Sequence, residues 1–201
     1  MEETYKILEN VIPKLYQEQV HATMMDESMP WHVMDNVTYN SWETKMGKSQ
    51  IGFGNSNLYG TVIGGFLMPL LYAISEKSGI PINNVLRIRA GFNIPDPSNP
   101  SFNTPHTDAT IENHWTACYY VHDSDGSTVL FNETLEKFLT YDKTQLDNTK
   151  LSMYINNNSF TKLTECEPKQ GRAFVFKGKH YHSSTCPTNS KYRIVITFNW
   201  T

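Results

Sequence analysis

The sequence has few cysteines, no long apolar run and no large excess of charge of either sign. Its three cysteines, Cys118, Cys166 and Cys186, are odd in number and lack the paired spacing of a zinc site, which predicts free thiols in a reducing compartment. No apolar run approaches the roughly 18 residues that a membrane-spanning helix needs. A net charge of −3 also argues against a nucleic-acid backbone or an anionic membrane as the partner.

The amino terminus and the chain length set the expected location and domain count. The first residues, MEETYKILEN, contain neither the basic nor the apolar region of a secretory leader, so a cytoplasmic location is expected. The 201 residues are enough for one domain with a sizeable core and hardly enough for two. We therefore predict a single domain over residues 1–201.

Two kinds of periodicity divide the chain near residue 80. Apolar residues at helical spacing predict helices over residues 13–26 and 65–78, the second one ended by Gly79 and Pro81. After residue 81 the pattern changes to short β-like runs separated by turn-rich segments. These runs are residues 84–92, 115–121, 127–131, 172–176 and 192–200.

The many short strands without intervening helices are typical of an antiparallel sandwich or jelly roll. We predict a mainly β fold with flanking helices, in which a double-stranded β-helix (jelly-roll) core is supported by N-terminal helices. The core is assigned to residues 81–201 and the helical or irregular flank to residues 1–80. The polar segment 133–168 is interpreted as a surface insertion in the core.

The candidate site begins with a short motif, His106-Thr-Asp108, which is followed far along the chain by His182 and Arg193. Two imidazoles and one carboxylate can occupy one face of a ferrous ion and leave its other positions open to ligands. On an extended segment residues 106 and 108 face the same side, as binding to one ion requires. An isolated His-x-Asp carries little weight, and it is the order of the four residues that indicates an oxygen-using iron enzyme.

The last predicted strand starts with Arg193 and carries no other charge. By the strand period of two, Arg193, Thr197 and Asn199 share one face, and the intervening apolar residues share the other. A charged residue in this position is costly unless it has an anionic partner. Arg193 could therefore hold the far carboxylate of an organic co-substrate.

From about residue 85 to its end, the sequence resembles the iron(II)/2-oxoglutarate-dependent oxygenases, most closely their prolyl-hydroxylase-like branch. The matching segments are Pro105-His-Thr-Asp108, Thr116-Ala-Cys-Tyr-Tyr-Val121, Asp125-Gly-Ser-Thr128, Gly171-Arg-Ala-Phe-Val-Phe176, His182, Pro187 and Arg193. Within that superfamily, Met29-Pro-Trp31 and Leu86-Arg-Ile-Arg89 are similar to a phage and marine-bacterial subgroup. The resemblance implies Fe(II) as the cofactor, with 2-oxoglutarate and O2 as co-substrates.

The resemblance also implies the metal ligands, which would be His106, Asp108 and His182. One ambiguity concerns the second histidine, because His180 and His182 have the same strand parity. The spacing that the family keeps before its arginine favours His182. His180 stays open as the alternative ligand.

For 2-oxoglutarate, the resemblance makes Arg193 the partner of the distal carboxylate and Tyr120 a second donor to the same group. Tyr120 shares its strand parity with Thr116 and Cys118, and all three are expected to point inward. Arg87 and Arg89 share a face of a neighbouring strand. Arg89 is our candidate for a further contact to the co-substrate, and a solvated arginine pair is the alternative.

By this resemblance the protein hydroxylates a peptide, a protein side chain or an amino acid, with decarboxylation of 2-oxoglutarate to succinate. Asp108 favours oxygen transfer, since related halogenases replace that carboxylate to admit halide. A nucleobase-oxidising oxygenase is the first alternative, although Asn199 stands where those enzymes carry a second arginine. A cupin-like metalloenzyme without 2-oxoglutarate and a non-catalytic jelly-roll binding module are the others. The expected partners are 2-oxoglutarate and a peptide or small-molecule substrate, and the oligomeric state is left open.

Overall fold

The computed structural model describes residues 3–34, 51–96, 102–111, 113–135 and 160–201. Within these ranges the chain forms two helices, α1 (Lys14–Met25) and α2 (Val62–Ser78). It also forms ten strands: β1 (Tyr5–Leu8), β2 (His32–Met34), β3 (Gly52–Asn55), β4 (Val85–Asn93), β5 (Trp115–Tyr120), β6 (Thr128–Thr134), β7 (Lys162–Cys166), β8 (Ala173–Lys177), β9 (His180–Ser184) and β10 (Arg193–Trp200).

The strands of these ranges form two antiparallel sheets. The larger has the order β1-β8-β5-β10-β4-β3-β2, and the smaller has the order β7-β6-β9. From β4 onward the chain passes repeatedly between the sheets, and on the way from β4 to β5 it makes a single bridge between His106 and His182 of β9. Antiparallel strands that alternate between two sheets in this way form a jelly roll, which confirms the fold predicted from the sequence.

The last strand, β10, separates the apolar core from the polar interior of the jelly roll. One face of β10 joins the core through Ile194, Ile196 and Phe198. The alternate residues face a cavity, whose wall includes Arg193 and Thr197. The division of faces follows the strand period of two and agrees with the sequence prediction.

Helix α2 covers the face of the larger sheet opposite the cavity. The hydroxyl of Thr61 accepts a hydrogen bond of 3.1 Å from the amide of Gly64 and so caps the first turn. The helix ends at Gly79, whose φ of 71° lies in the left-handed region. Its buried stripe, Leu67, Leu70, Leu71 and Ile74, packs in the same core as β10. Complete burial of each such side chain contributes about 1.5–3 kcal/mol.

Both predicted helices are confirmed, with small differences at their ends. Helix α1 follows Pro13 and buries Val20 and Met24 in the core that α2 shares. Helix α2 begins at Val62, three residues before the predicted start at residue 65. No helix in the described part of the chain is long and apolar enough to cross a membrane.

The N-terminal flank contains more strand than its sequence predicts. Residues 1–80 are expected to be helical or irregular, but β1, β2 and β3 lie there and extend the larger sheet at both of its ends. Strand β3 contains two glycines, which local rules disfavour in strands. A Cβ atom at one of them, Gly54, would lie 2.5 Å from Sδ of Met34, so a larger residue there would displace that side chain. These strands form because of their partners, which a local pattern does not reveal.

The segment predicted as an insertion, residues 133–168, belongs at both of its ends to the smaller sheet. Strand β6 continues to Thr134, and β7 pairs with it antiparallel over residues 162–166. Residues 136–159 lie outside the described ranges. The assignment of residues 1–201 to one domain stays a prediction.

Candidate metal centre

His106, Asp108 and His182 lie close together in the wall of the cavity inside the jelly roll. One ligand atom from each lies within 4.8 Å of the others. Nε2 of His106 is 3.9 Å from Oδ1 of Asp108, and Nε2 of His182 is 3.8 Å from Oδ2. All three side chains are largely buried, with 16%, 4% and 6% of their surface exposed for His106, Asp108 and His182. This is the donor geometry of a small divalent-cation site.

The backbone brings the two histidines side by side. The amide of each donates to the carbonyl of the other, both at 2.9 Å, so the pair forms an antiparallel bridge between β9 and the segment that precedes β5. Directly opposed residues project to the same face, and the two ring centroids are 4.5 Å apart. The Nδ1 atom of His106 contacts the carbonyl of Thr104 at 3.1 Å. That contact turns Nε2 of His106 toward Asp108, as an outer partner of a metal-binding histidine does.

The protonation states of these residues suit metal binding. The pKa of His106 is lowered to about 3, mainly by burial and secondarily by the neighbouring His182. The Asp108 carboxylate raises this pKa by a smaller amount. Burial also lowers the pKa of His182. Burial by itself raises the pKa of the Asp108 carboxyl, but the Arg87 guanidinium and the two imidazoles outweigh it and hold that pKa well below its usual range. Neutral imidazoles and an ionised carboxylate are the forms that bind a metal.

Two residues that sequence reasoning did not assign hold the Asp108 carboxylate. Nη2 of Arg87 on β4 lies 2.7 Å from Oδ1 as an ion pair, although it is not aligned as a hydrogen bond. Nδ2 of Asn199 on β10 donates to Oδ2 at 3.0 Å. The strand parity already placed Asn199 on the face of Arg193. The missing signal was the register, which pairs Arg87 with Asn199 across β4 and β10.

Arg193 lies in the wall of the same cavity and is almost completely buried, with 3% of its surface exposed. Its Nε donates to the carbonyl of Gly126 and its Nη2 donates to Oγ1 of Thr128, both at 2.7 Å. Both acceptors are neutral, and no carboxylate among the described residues pairs with this guanidinium. A buried charge normally has a counter-charge, so the cavity is suited to an anionic ligand.

Tyr120 packs against the guanidinium of Arg193. The guanidinium carbon of Arg193 is 5.8 Å from the centre of the tyrosine ring, and the Tyr120 hydroxyl donates to Oγ1 of Thr128 at 2.8 Å. Burial raises the pKa of that hydroxyl well above its usual value. The side chain is inward, as its parity predicts, but it is fully buried and does not form part of the cavity wall. Its hydroxyl therefore holds Thr128 in place for Arg193.

The other two candidates occupy different positions. Arg89 forms part of the cavity wall, and its Nη2 lies 3.8 Å from Sδ of Met34. Burial lowers the pKa of the Arg89 guanidinium. His180, the alternative ligand, directs its Nδ1 to the carbonyl of Phe131 at 2.9 Å and is outside the cluster. Both histidines lie on β9, but the structure brings only His182 to the cluster, while His180 contacts the backbone of β6.

Comparisons with known proteins agree with this architecture. No protein-family model matches the sequence, and no curated protein is similar to it. Solved structures do match: the epimerase SnoN in complex with Fe3+, alpha-ketoglutarate and nogalamycin RO has a TM-score of 0.62 and 8% identity, over 99% of this chain and 79% of SnoN. HygX from Streptomyces hygroscopicus, with nickel and 2-oxoglutarate bound, has a TM-score of 0.61 and 12% identity, over 98% of this chain and 82% of HygX.

A prolyl hydroxylase from Trichoplax adhaerens, in complex with a peptide fragment of the hypoxia-inducible factor oxygen degradation domain, also has a similar structure. Its TM-score is 0.59 at 11% identity, over 99% of this chain and 84% of the hydroxylase. At these identities the likeness concerns the fold. The chain has the jelly-roll fold of the 2-oxoglutarate-dependent iron oxygenases, and its His-Asp-His cluster lies inside that jelly roll.

Proposed function

We propose that the protein is an Fe(II)- and 2-oxoglutarate-dependent dioxygenase. The observation that carries the proposal is the sharing of one cavity by the His106, Asp108 and His182 cluster and the buried guanidinium of Arg193. A metal site alone would fit several enzyme classes, and a buried arginine alone would fit any anion. Together they fit a co-substrate that binds the metal at one end and a cation at the other.

The three cluster residues fit Fe(II) by their donor chemistry. Two neutral imidazoles and one carboxylate are the facial set used by non-heme iron oxygenases, and this set leaves further positions open. His106 and His182 need not lose a proton at neutral pH, because burial keeps both pKa values low. Bound iron with 2-oxoglutarate and O2 supplies the oxidising power, with decarboxylation of 2-oxoglutarate to succinate.

The residues around Arg193 prepare a carboxylate site. Gly126 and Thr128 hold two of its nitrogen atoms and Tyr120 lies below it, so its direction is fixed before a ligand arrives. A fixed guanidinium can form paired, charge-assisted hydrogen bonds with a carboxylate. Thr128 accepts from both Arg193 and Tyr120, which leaves its position doubly determined. Arg89, in the same wall, is proposed as a further contact to the co-substrate.

The proposed reaction is hydroxylation of a peptide, a protein side chain or an amino acid. Its support is the similarity to structures that include a prolyl hydroxylase with a bound peptide. The similar structures also include an epimerase, so the outcome of oxidation depends on the substrate that this cavity admits. The likeness of fold does not by itself assign a substrate.

The first experiment measures succinate formed from 2-oxoglutarate when O2 is admitted to anaerobically iron-loaded protein. We expect slow turnover without a prime substrate, and we expect His106→Ala and Arg193→Met to abolish it. Anaerobic addition of 2-oxoglutarate to the Fe(II) protein should also produce a metal-to-ligand charge-transfer band. Absence of both the band and succinate from the wild type would contradict the proposal and favour a metalloenzyme that does not use 2-oxoglutarate.

A matched pair of variants tests which histidine binds the metal. His182→Ala removes a nitrogen from the cluster, whereas His180→Asn keeps a donor near the position of Nδ1 that contacts the Phe131 carbonyl. We expect His182→Ala to lose Fe(II) binding in equilibrium dialysis and His180→Asn to keep it. The reverse result would make His180 the ligand and would require a different arrangement of β9.

A further inference from the structure

The carboxylate of Asp108 is held from behind by a closed set of polar side chains on three adjacent strands. Arg87 lies 2.7 Å from Oδ1, and Asn199 donates to Oδ2 at 3.0 Å. The same Nδ2 atom of Asn199 donates to Oγ1 of Thr116 on β5 at 2.9 Å, and Oδ1 of Asn199 accepts from Nε of Arg87 at 3.0 Å. Each oxygen of the carboxylate thus has its own partner, and the two partners bind one another.

Arg87 and Asn199, the two partners of the Asp108 carboxylate, differ in charge. Arg87 brings a full positive charge, whereas Asn199 is neutral and brings only direction. The side chain of Asp108 is 4% exposed and that of Arg87 is 29% exposed, so water screens their interaction only in part. Two neutral imidazoles, one carboxylate and one guanidinium give this group of residues no net charge. The positive charge of Arg87 therefore cancels much of the attraction that the Asp108 carboxylate offers to a divalent cation.

We propose that the positive charge of Arg87 opposes the binding of a divalent cation, both with and without 2-oxoglutarate, while Asn199 acts as the positioning residue of the Asp108 carboxylate. The inference rests on the proposed function for the identity of the co-substrate. 2-Oxoglutarate adds two negative charges to a cavity whose wall also carries the guanidinium groups of Arg89 and Arg193, so it raises the affinity for the cation but does not remove the repulsion from Arg87. By thermodynamic linkage, the metal raises the affinity for 2-oxoglutarate by the same factor as 2-oxoglutarate raises the affinity for the metal.

The role of Asn199 follows from its three contacts. Arg87 binds the amide oxygen and Thr116 accepts from Nδ2, so the remaining N–H of Nδ2 is directed at Oδ2 of Asp108. Outer partners of this kind orient a ligand, and their loss costs about 10–100-fold in metal affinity. Because Asn199 carries no charge, its loss should weaken metal binding to the same extent with and without 2-oxoglutarate.

The test measures Co(II) affinity from the d–d absorption of the bound ion, without turnover, in the absence and presence of 2-oxoglutarate. The variants are Arg87→Met and Arg87→Gln, which remove the charge, Arg87→Lys, which keeps it, and Asn199→Leu, which removes the orienting amide. Arg172→Met is the matched control, because Arg172 forms its ion pair with Glu9 away from the cavity. Thermal unfolding identifies any variant that is not folded, and the two neutral replacements of Arg87 provide independent tests.

Without 2-oxoglutarate, we expect Arg87→Met and Arg87→Gln to bind Co(II) about tenfold more tightly than the wild type. The factor by which 2-oxoglutarate tightens Co(II) binding should not change, because the charge of Arg87 acts on the ion in both states. The affinities of Arg87→Lys and Arg172→Met should stay close to those of the wild type. Asn199→Leu should bind Co(II) about 10–100-fold more weakly, with the 2-oxoglutarate factor unchanged.

Two results would overturn the inference. Unchanged or weaker Co(II) binding by the folded neutral variants of Arg87 would show that the guanidinium does not oppose the metal. Wild-type Co(II) affinity in Asn199→Leu would show that the amide does not position Asp108. Failure of the proposed function has a different signature: wild-type protein that binds Co(II) with no response to 2-oxoglutarate. The affinities for Co(II) alone would still decide the role of Arg87 in that case.

Discussion

Replacement of Arg193 by methionine should separate the stability of the protein from its ability to bind 2-oxoglutarate. The wild-type guanidinium is buried with two neutral acceptors, Gly126 and Thr128, and no anionic partner in the described part of the chain. Methionine has a similar length and needs no counter-charge. Buried charges are often replaced by apolar side chains at little cost to folding.

The two effects of Arg193→Met have different sizes. Two charge-assisted hydrogen bonds to a ligand carboxylate are together worth about 3–6 kcal/mol, so the dissociation constant of 2-oxoglutarate should rise about 100-fold or more. The protein without ligand loses two hydrogen bonds, to Gly126 and Thr128, but no longer buries an unpaired charge. Its free energy of unfolding should change by no more than about 2 kcal/mol.

The assay is thermal unfolding of the Mn(II)-loaded protein at increasing 2-oxoglutarate concentration, under conditions without turnover. A ligand that binds only the folded state adds about 2.7 kcal/mol at 100 times its dissociation constant. The wild type should show this gain, and Arg193→Met should gain no more than about 0.4 kcal/mol at the same concentration. Arg172→Met, which removes an arginine paired with Glu9, is the control and should keep the gain.

A wild-type response to 2-oxoglutarate in Arg193→Met would refute the assignment of the carboxylate site. The candidate would then pass to Arg89, which lies in the same cavity wall. A different result, a loss of several kcal/mol of stability in Arg193→Met without ligand, would show that the arginine is required for folding. Such a loss would also contradict the interpretation of Arg193 as a buried charge that has no counter-charge without the ligand.

Three further outcomes follow from individual side chains. Asp125→Asn should lower the free energy of unfolding by about 1 kcal/mol at pH 7, because hydrogen bonds from the loop at Thr188 outweigh the effect of burial and depress the pKa of this carboxyl. The difference, measured by urea titration, should begin to shrink as the pH falls below about 4, the pKa of the unfolded chain, and should vanish only at the lower pKa of the folded state. Gly126→Ala should weaken the binding of 2-oxoglutarate without loss of Co(II) binding, because the added Cβ would lie 2.9 Å from Cδ of Arg193. Calorimetric titration with each ligand measures both affinities. Cys118 should resist alkylation at pH 8 until the protein unfolds, because burial raises its pKa to about 12, and labelling followed by mass spectrometry checks this.

Much of the fold follows from local patterns in the sequence. The alternation of short apolar runs and turns predicted the strands β4, β5, β6, β8 and β10, and apolar spacing predicted both helices. Strands β2 and β3 were not predicted, because β2 has only three residues and β3 is half glycine. Each is stable only next to the strand it pairs with, and that pairing joins segments far apart in the chain.

The candidate site was predictable to the extent that strand parity determines it. Parity placed Arg193 and Asn199 on one face and Tyr120 on an inward face, and the structure has both. Parity could not choose between His180 and His182, because it assigns both to the same face. The bridge to His106 brings His182 into the cluster. Between Leu130 and Thr134 the pairing of β6 with β9 is irregular, with three residues of β6 opposite one of β9.

The sequence by itself determined the residue types of the site, their order and the faces on which they lie, because these depend on chemistry and on the period of a strand. Tertiary structure decided which residues meet. Both arginines share a face of β4, but the register of β4 against β10 places Arg87 next to Asp108, with which it forms an ion pair. Arg89 lies in the cavity wall instead. Packing likewise placed the Tyr120 hydroxyl against Thr128, which also binds Arg193, and a contact of Tyr120 with 2-oxoglutarate stays a prediction. Such pairings arise from the long-range contacts between strands, which a local pattern does not contain.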